Sequence, residues 1–195
     1  MGRHLLLWVT VLTPLLAQQQ EIGLTLGRLA GTERDLVKLK GGTALQANYG
    51  YRLMGRKRFA LFGEVHLLAS PQRVTDTVAA QATRDVASLY VTPGVRLKFF
   101  PEGRVQPYVT AGGGYALYEH SVLNVGGRPN QAPRTKGGGA LAFGGGVDVP
   151  LWRWLGARFE ARDFVTGNPD YSLPVRGKRQ HNLVAGGGFV LRFGK

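Results

Sequence analysis

The feature that most constrains this chain is a strict alternation of apolar and other side chains. In residues 88–99 every odd position is apolar, from Leu89 to Phe99, whereas the even positions, from Ser88 to Lys98, carry polar, small or charged groups. Successive side chains of a β-strand point to opposite faces of the sheet, so this period of two predicts a strand with one apolar face. No segment after Glu21 has a convincing helical period.

Seven further stretches behave in the same way, and together they predict eight strands. The predicted strands are residues 21–28, 43–52, 58–68, 88–99, 106–118, 138–149, 155–165 and 182–193. Most are longer than the usual strand of a soluble protein, which has about 5 to 6 residues. They match the roughly 9 to 11 residues that a tilted strand needs to cross a membrane.

The connections between the predicted strands alternate in length. Short links with Gly or Pro occur at residues 54–57, 100–104 and 150–154, and long links at residues 29–41, 69–87, 119–137 and 166–180. Short turns at one end, long loops at the other and an even number of strands are typical of bacterial outer-membrane barrels. The short turns and both mature termini would then face the periplasm.

The amino terminus has the pattern of an export signal. Arg3 and His4 precede an apolar run from Leu5 to Leu16, and the small residue Ala17 follows. This pattern predicts a secretory signal peptide at residues 1–17, which leaves residues 18–195 as one barrel domain. The run is shorter than the roughly 20 residues of a membrane-spanning helix, so we expect an exported protein without a helical anchor.

Composition excludes several kinds of site. The chain has no cysteine, which removes disulfides, cysteine-based zinc sites and thiol nucleophiles. Its 29 glycines include four triplets, at residues 112–114, 137–139, 144–146 and 186–188. No triplet is followed by the helix and the GK[ST] ending of a phosphate-binding loop. Barrel curvature and close approach of neighbouring strands are the predicted reasons for these glycines.

Alternation alone does not tell which face of the barrel is wet. A soluble barrel such as a lipocalin has its apolar face inside, and a membrane barrel has it outside. The membrane arrangement is favoured because the apolar faces are almost free of charge and because aromatic residues gather near the short turns, as in an interfacial girdle. These aromatic residues are Tyr51, Phe59, Phe99, Trp152, Trp154 and Phe193.

The polar faces would then line a narrow lumen. Besides small residues they carry Glu64, Arg96, Asp148, Arg158, Glu160, Arg162 and Arg192. Buried charges are tolerated when they are paired and hydrogen-bonded. We therefore expect Glu64 and Glu160 to pair with Arg96, Arg158 or Arg162.

Three segments resemble the small OmpA-like outer-membrane β-barrels. They are QPYVTAGGGYALYE (106–119), LGARFEARDF (155–164) and HNLVAGGGFVLRF (181–193). The resemblance implies an eight-stranded antiparallel up-and-down barrel in a Gram-negative outer membrane. It also implies insertion by the barrel assembly machinery, which reads an alternating last strand with a terminal aromatic. Phe189, Leu191 and Phe193 fit that signal, although Gly194 and Lys195 follow. Because no peptidoglycan-binding domain follows the barrel, that function of larger family members is not expected.

Two groups of residues contain side chains of the types found in catalytic sites. Outer-membrane enzymes that deacylate lipid A have a Ser two residues after a His, with a carboxylate on a neighbouring strand. Here Ser121 directly follows His120, so in a strand the two side chains would point to opposite faces, with Glu119 on the side of Ser121. His66 and Glu64 share a face, but no nucleophile accompanies them. No metal-binding spacing occurs, and we expect no catalytic, cofactor-binding or metal-binding residues.

The formal net charge of +13 is dispersed along the chain. The long loops contain Lys38, Lys40, Arg128, Arg134, Lys136, Arg176, Lys178 and Arg179, and one short turn contains Arg56, Lys57 and Arg58. Loop cations suit the phosphates of lipopolysaccharide, with plain solvation as the alternative. A nucleic-acid partner would require a basic stripe with stacking aromatics, which this pattern lacks.

The sequence therefore predicts a small, monomeric outer-membrane barrel with a structural or surface-interaction role, no catalysis and no open pore. Its expected partners are outer-membrane lipids, lipopolysaccharide and the barrel assembly machinery. A lipid-modifying enzyme of the outer membrane and a soluble lipocalin-like binder of apolar ligands remain as alternatives. Ten strands are possible if residues 36–39 or 73–78 extend a hairpin.

Overall fold

The computed structural model describes residues 19–34, 37–167 and 179–194, with side chains of residues 32–38 not included. The segment predicted as a signal peptide lies outside these residues. The strands are β1 Gln20–Leu29, β2 Thr32–Arg34, β3 Val37–Leu39, β4 Gly42–Gly55, β5 Phe59–Asp76, β6 Asp85–Phe99, β7 Gln106–His120, β8 Thr135–Pro150, β9 Leu155–Gly167 and β10 Arg179–Phe193. No helix in the described part of the chain is long and apolar enough to cross a membrane.

Eight long strands close into one antiparallel ring. The order around the ring is β1, β4, β5, β6, β7, β8, β9 and β10, and β10 pairs with β1 to close it. Strands β2 and β3 are short and pair with each other, and β3 also pairs with the outer end of β5. They extend a hairpin above the ring, so the barrel itself has eight strands. The predicted eight-stranded up-and-down antiparallel barrel is confirmed.

One predicted loop is mostly strand. Residues 69–87 were expected to form a long connection, but β5 continues to Asp76 and β6 begins at Asp85. A bulge lies between Ser70 and Arg73. Before the bulge the even-numbered residues of β5 are buried, and after it Arg73 and Thr75 are buried instead. After the bulge the inward-facing residues are odd-numbered and polar. The alternation of apolar and polar residues that predicts the first part of β5 is therefore interrupted, and the sequence pattern does not reveal the second part.

The wall of the barrel is apolar outside and polar inside. Outward-facing Leu26 and Phe159 are 63% and 60% exposed, whereas inward-facing Arg96 and Arg158 are fully buried. A soluble barrel that binds apolar ligands has the opposite arrangement. The lipocalin-like alternative is therefore wrong.

Close approach of strands explains several of the glycines. A Cβ atom on Gly186 would lie 2.7 Å from the carbonyl oxygen of Leu26 on β1, and one on Gly112 equally close to that of Pro93 on β6. Only glycine fits where two strand backbones approach in this way. Gly138 and Gly139 have open space around the corresponding position, so close approach does not account for these two glycines of the 137–139 triplet.

The predicted aromatic girdle is present at the short-turn end. Trp152 and Trp154 lie in the β8–β9 turn with their rings stacked at a centroid distance of 6.5 Å. Phe99 and Phe193, at the ends of β6 and β10, are also exposed on the outer wall. Aromatic residues at this level are typical of the interface between a membrane and water.

Candidate functional sites: the charged lumen and the two rims

The periplasmic half of the lumen is filled by ion pairs that cross the barrel. Glu21 on β1 accepts hydrogen bonds from Arg96 Nη2 at 2.9 Å and Lys98 Nζ at 2.6 Å, both on β6. Asp148 on β8 accepts from Arg158 Nε at 2.7 Å, and its second oxygen lies 2.8 Å from Lys98 Nζ. In the ring, β6 is three strands from β1 and two from β8, so the contacts of Arg96 and Lys98 with Glu21 and Asp148 cross the lumen, whereas Asp148 and Arg158 lie on neighbouring strands.

A second group of ion pairs lies next to the first. Arg162 on β9 contacts Glu64 at 2.7 Å and Glu160 at 3.1 Å, and Arg96 reaches Glu64 at 3.2 Å. The Tyr108 hydroxyl donates a hydrogen bond to Glu160 Oε2 at 3.0 Å. We refer to Glu21, Glu64, Arg96, Lys98, Asp148, Arg158, Glu160 and Arg162 as the periplasmic network.

Sequence reasoning found most of this network. The expected pairing of Glu64 and Glu160 with Arg96 and Arg162 is confirmed, but Arg158 pairs with Asp148 and Glu21 instead. Glu21 and Lys98 are not among the lumen charges expected from the sequence. Their signal is the alternation, because Glu21 precedes the outward-facing Ile22 and Lys98 precedes the outward-facing Phe99. Arg192, at the rim, lies 3.5 Å from Glu21.

The extracellular half of the lumen is filled by an apolar cluster. We define the extracellular cluster as Leu29, Leu39, Ala44, Leu68, Val86, Tyr90, Ala116, Tyr118, Ala140, Ala142, Phe164 and Val184, all buried. The Tyr118 hydroxyl lies 2.7 Å from Thr166 Oγ1. Above it, Arg73 donates to Asn182 Oδ1 at 3.1 Å and to the carbonyl oxygen of Ala30 at 2.9 Å.

His66 lies between the network and the cluster. Its Nε2 is 3.9 Å from Glu160 Oε1, and its ring centroid is 5.6 Å from that of Phe164. Neither ring nitrogen has a hydrogen-bond partner among the described residues. His66 and Glu64 thus lie within interior packing, and no hydroxyl is held against the imidazole for nucleophilic attack.

The structure keeps His120 and Ser121 apart. His120 is buried, and its Nδ1 lies 2.7 Å from the carbonyl oxygen of Pro133. The Ser121 hydroxyl donates to the carbonyl oxygen of Leu123 at 2.8 Å and accepts from the Asp85 amide. Glu119 is paired with Arg134 at 2.6 Å. A triad requires a nucleophile, a base and an orienting carboxylate in mutual contact, and these three residues have other partners.

A polar pair on β9 and β10 lies on the outer wall. Asp163 Oδ2 is 2.6 Å from His181 Nδ1, and Asp163 Oδ1 accepts from the amide of Asn182. This pair is the reason why Asp163 interrupts the apolar face of β9. No group of three or more acidic or histidine residues in the described ranges is arranged to hold a metal ion.

Cations are exposed at both rims of the barrel. At the extracellular end, Lys40 pairs with Asp76 at 3.4 Å and Arg84 with Asp85 at 3.8 Å, while Arg128 and Arg179 are exposed. Arg176, Lys178 and the side chain of Lys38 lie outside the described residues. Arg56, Lys57 and Arg58 are exposed in the β4–β5 turn at the other end.

Comparison with solved structures gives similar barrels. Ail, the attachment invasion locus protein of Yersinia pestis, in complex with the heparin analogue sucrose octasulfate, has a TM-score of 0.54 and 15% identity over 90% of this chain and 99% of Ail. Neisserial surface protein A has a TM-score of 0.54 and 13% identity over 91% of this chain and 96% of its own. The N-terminal β-barrel domain of Pseudomonas aeruginosa OprF has a TM-score of 0.52 and 15% identity over 90% of this chain and 97% of its own. No family model and no curated protein sequence matches this chain.

These similarities concern the fold. The chain has the architecture of the small OmpA-like outer-membrane barrels, as its three segments indicated. Its inverted wall, apolar outside and charged inside, is that of a protein located in an outer membrane. A fold of this kind hosts different functions, so the role must be argued from the lumen and the rims.

Proposed function

We propose that this chain is a monomeric outer-membrane barrel with a structural or surface-interaction role, without catalysis and without an open pore, whose extracellular cations contact lipopolysaccharide. One observation carries the proposal: the wall is apolar outside, while ion pairs and an apolar cluster fill the inside. A barrel with this filling has its binding surfaces at its ends.

The filled lumen supports the absence of a pore. Glu21 and Arg96 meet across the ring at 2.9 Å, and their side chains are at most 1% exposed. Removing one member of a buried pair leaves an uncompensated charge, so the network resists opening. An ion would have to disrupt several of these contacts to pass.

A conductance measurement tests this part. We expect the wild-type barrel in a planar lipid bilayer to give no stepwise current, and the double variant Glu21→Ala/Arg96→Ala to give small steps because both sides of the bridge are lost. A shift in gel mobility between boiled and unboiled samples controls for folding of the variant. Stepwise current through the folded wild-type barrel would contradict a closed lumen.

The extracellular rim supports contact with lipopolysaccharide. Arg28, on the outer face of β1, and Arg179, at the outer end of β10, are exposed where the wall meets the loops. Arg128 is exposed in the β7–β8 loop. Guanidinium groups bind phosphates through paired hydrogen bonds, and lipid A carries phosphates at this depth of the leaflet.

Unfolding in nanodiscs tests this contact. We expect lipopolysaccharide in the nanodisc to raise the urea midpoint of the wild-type barrel, and the variant Arg28→Gln/Arg128→Gln/Arg179→Gln to lose most of this gain. The matched control Arg56→Gln/Lys57→Gln/Arg58→Gln removes the same charge from the opposite end and should retain clearly more of the gain than the extracellular variant. Equal gains in both variants would rule out the extracellular cations as the contact.

Insertion by the barrel assembly machinery forms a separate part of the proposal. Phe189, Leu191 and Phe193 alternate on the outer face of β10, and Phe189 and Phe193 are exposed there. Replacing Phe193 by Ser should reduce the folded fraction in cell envelopes, whereas the same change at Phe143, outside the last strand, should do so less.

A further inference from the structure

We propose that the short-turn rim of the barrel is a binding surface for the headgroups of anionic phospholipids in the periplasmic leaflet. We define the periplasmic rim as Arg56, Lys57 and Arg58 in the β4–β5 turn, Arg104 in the β6–β7 turn and Arg153 in the β8–β9 turn. All five are exposed. The same three turns contain one acidic residue, Glu102.

The cations of this rim have no internal partners. None of the five makes an ion pair or a side-chain hydrogen bond within the described residues, whereas Lys40, Arg84 and Arg134 at the other end are each paired with a carboxylate. An unpaired exposed cation keeps its full attraction for an external anion. Charge complementarity at this end therefore favours an anionic partner outside the chain.

Backbone hydrogen bonds fix the turns that carry these cations. The Arg56 amide donates to the carbonyl oxygen of Phe59 at 2.7 Å, and the Trp152 amide donates to that of Leu155 at 2.9 Å. The Phe100 amide donates to the carbonyl oxygen of Arg58 at 2.8 Å, which joins two neighbouring turns. These hydrogen bonds hold the turns, and the cations that they carry, at one end of the barrel.

Exposed aromatic residues favour a membrane surface over a soluble polyanion. Trp152 and Trp154 flank Arg153 in sequence and are 63% and 59% exposed, and Phe100 is exposed in the adjoining turn. Tryptophan rings lie at the level of lipid headgroups in membrane proteins. Cations at the same level meet lipid phosphates, which attract Lys and Arg near an anionic surface. Peptidoglycan, a polyanion away from the membrane, would leave these rings without a role.

This inference does not depend on the contact with lipopolysaccharide, because it concerns the opposite end of the barrel. The tryptophans also provide its probe. The chain has three tryptophans, so Trp8→Phe leaves Trp152 and Trp154 as the only fluorescent indoles, both at the periplasmic rim.

Quenching by brominated lipids tests the proposal. The full chain with Trp8→Phe would be refolded into phosphatidylcholine vesicles that contain an equal fraction of either brominated phosphatidylglycerol or brominated phosphatidylcholine. We expect the association constant derived from quenching to be about fivefold higher for the anionic lipid, the effect of roughly one cation held at an anionic surface. Because both leaflets have the same composition, the orientation of insertion does not affect the result.

Two neutralised variants identify the residues responsible. In the same background, Arg56→Gln/Lys57→Gln/Arg58→Gln/Arg104→Gln/Arg153→Gln should bring the two association constants to within about twofold of each other. The matched control Arg28→Gln/Lys40→Gln/Arg84→Gln/Arg128→Gln/Arg134→Gln should keep the preference. The heat-dependent mobility shift confirms that each variant is folded.

Two outcomes would overturn the proposal. One is equal quenching by both lipids in the folded Trp8→Phe chain. The other is a preference that survives neutralisation of the periplasmic rim. If the preference is absent and the chain instead sediments with peptidoglycan sacculi in a manner that requires the five cations, the rim binds the cell wall and the lipid assignment is wrong.

Discussion

In the periplasmic half of the lumen eight charged side chains neutralise one another across the ring, whereas the extracellular half is filled by twelve buried residues that are mostly aliphatic and aromatic. Both fillings occupy the lumen, but they depend on different physics. A charged side chain in a low-dielectric interior must keep its oppositely charged partner, because a lone buried charge is costly. An apolar cluster must keep its side-chain volume, because removal of methylene groups leaves a destabilising cavity.

The comparison shows how a chain with an inverted barrel still has a core. On folding, the outer wall passes from water to lipid, and this burial of apolar surface favours the inserted barrel without creating contacts between side chains of distant strands. Contacts of that kind lie inside the lumen. The inward-facing residues are therefore the core of this barrel, at both ends.

The largest expected effect follows from breaking the periplasmic network. Arg158→Met removes one partner from Asp148 and one from Glu21, and it should lower the free energy of unfolding by about 3–5 kcal/mol. Urea titration in vesicles, monitored by the heat-dependent mobility shift, measures this change. Arg153→Met, at an exposed turn position nearby, should stay within about 0.5 kcal/mol of wild type. Identical midpoints for Arg158→Met and wild type would show that the network contributes little.

A smaller effect is expected from a cavity in the extracellular cluster. Leu68→Ala removes a fully buried side chain and should lower the free energy of unfolding by about 2–4 kcal/mol. Leu67→Ala is the matched control, because Leu67 is the adjacent residue and faces the lipid, which can fill the space. The same urea titration compares them, and a larger loss for Leu67→Ala would argue against the apolar cluster as a core.

The Tyr118 hydroxyl is a polar group within the apolar cluster, and its removal tests whether polar contacts contribute to the stability of that cluster. Tyr118→Phe keeps the ring and removes the hydroxyl that contacts Thr166, so we expect a loss of about 1 kcal/mol. Tyr115→Phe, on the outer face of the same strand, serves as the control. If the two variants unfold at the same urea concentration, the cluster is stabilised by its apolar contacts alone.

The smallest effect is expected at the extracellular rim. Arg134→Gln breaks an ion pair with Glu119 whose side chains are both 55% exposed. Exposed pairs contribute about 0–1 kcal/mol, and salt screens them. The difference from wild type should therefore shrink further when the titration is repeated in high salt. A difference that grows with salt would show that the pair is not an electrostatic one.

The sequence by itself determined that the fold is built from strands and which side chains of each strand share a face. Residues 88–99 have apolar side chains on one face and Ser88, Arg96 and Lys98 on the other, and this local pattern reports directly on which side chains share a face. Link lengths and the aromatic residues near the short turns then indicated which end of the barrel is which. Alternation, link lengths and the positions of aromatic residues can be read from the sequence because each depends on residues that are close together in the chain.

Only the tertiary structure decided which charges meet and where the filling changes from ionic to apolar. Glu21 and Arg96 are 75 positions apart, and their contact depends on the register of every strand pair between β1 and β6. The bulge after Ser70 shifts the inward face of β5 and brings Arg73 to Asn182. Alternation tells which side chains share a face. The position of each side chain along the barrel axis, and therefore its partner, depends on how all eight strands are aligned in the closed ring.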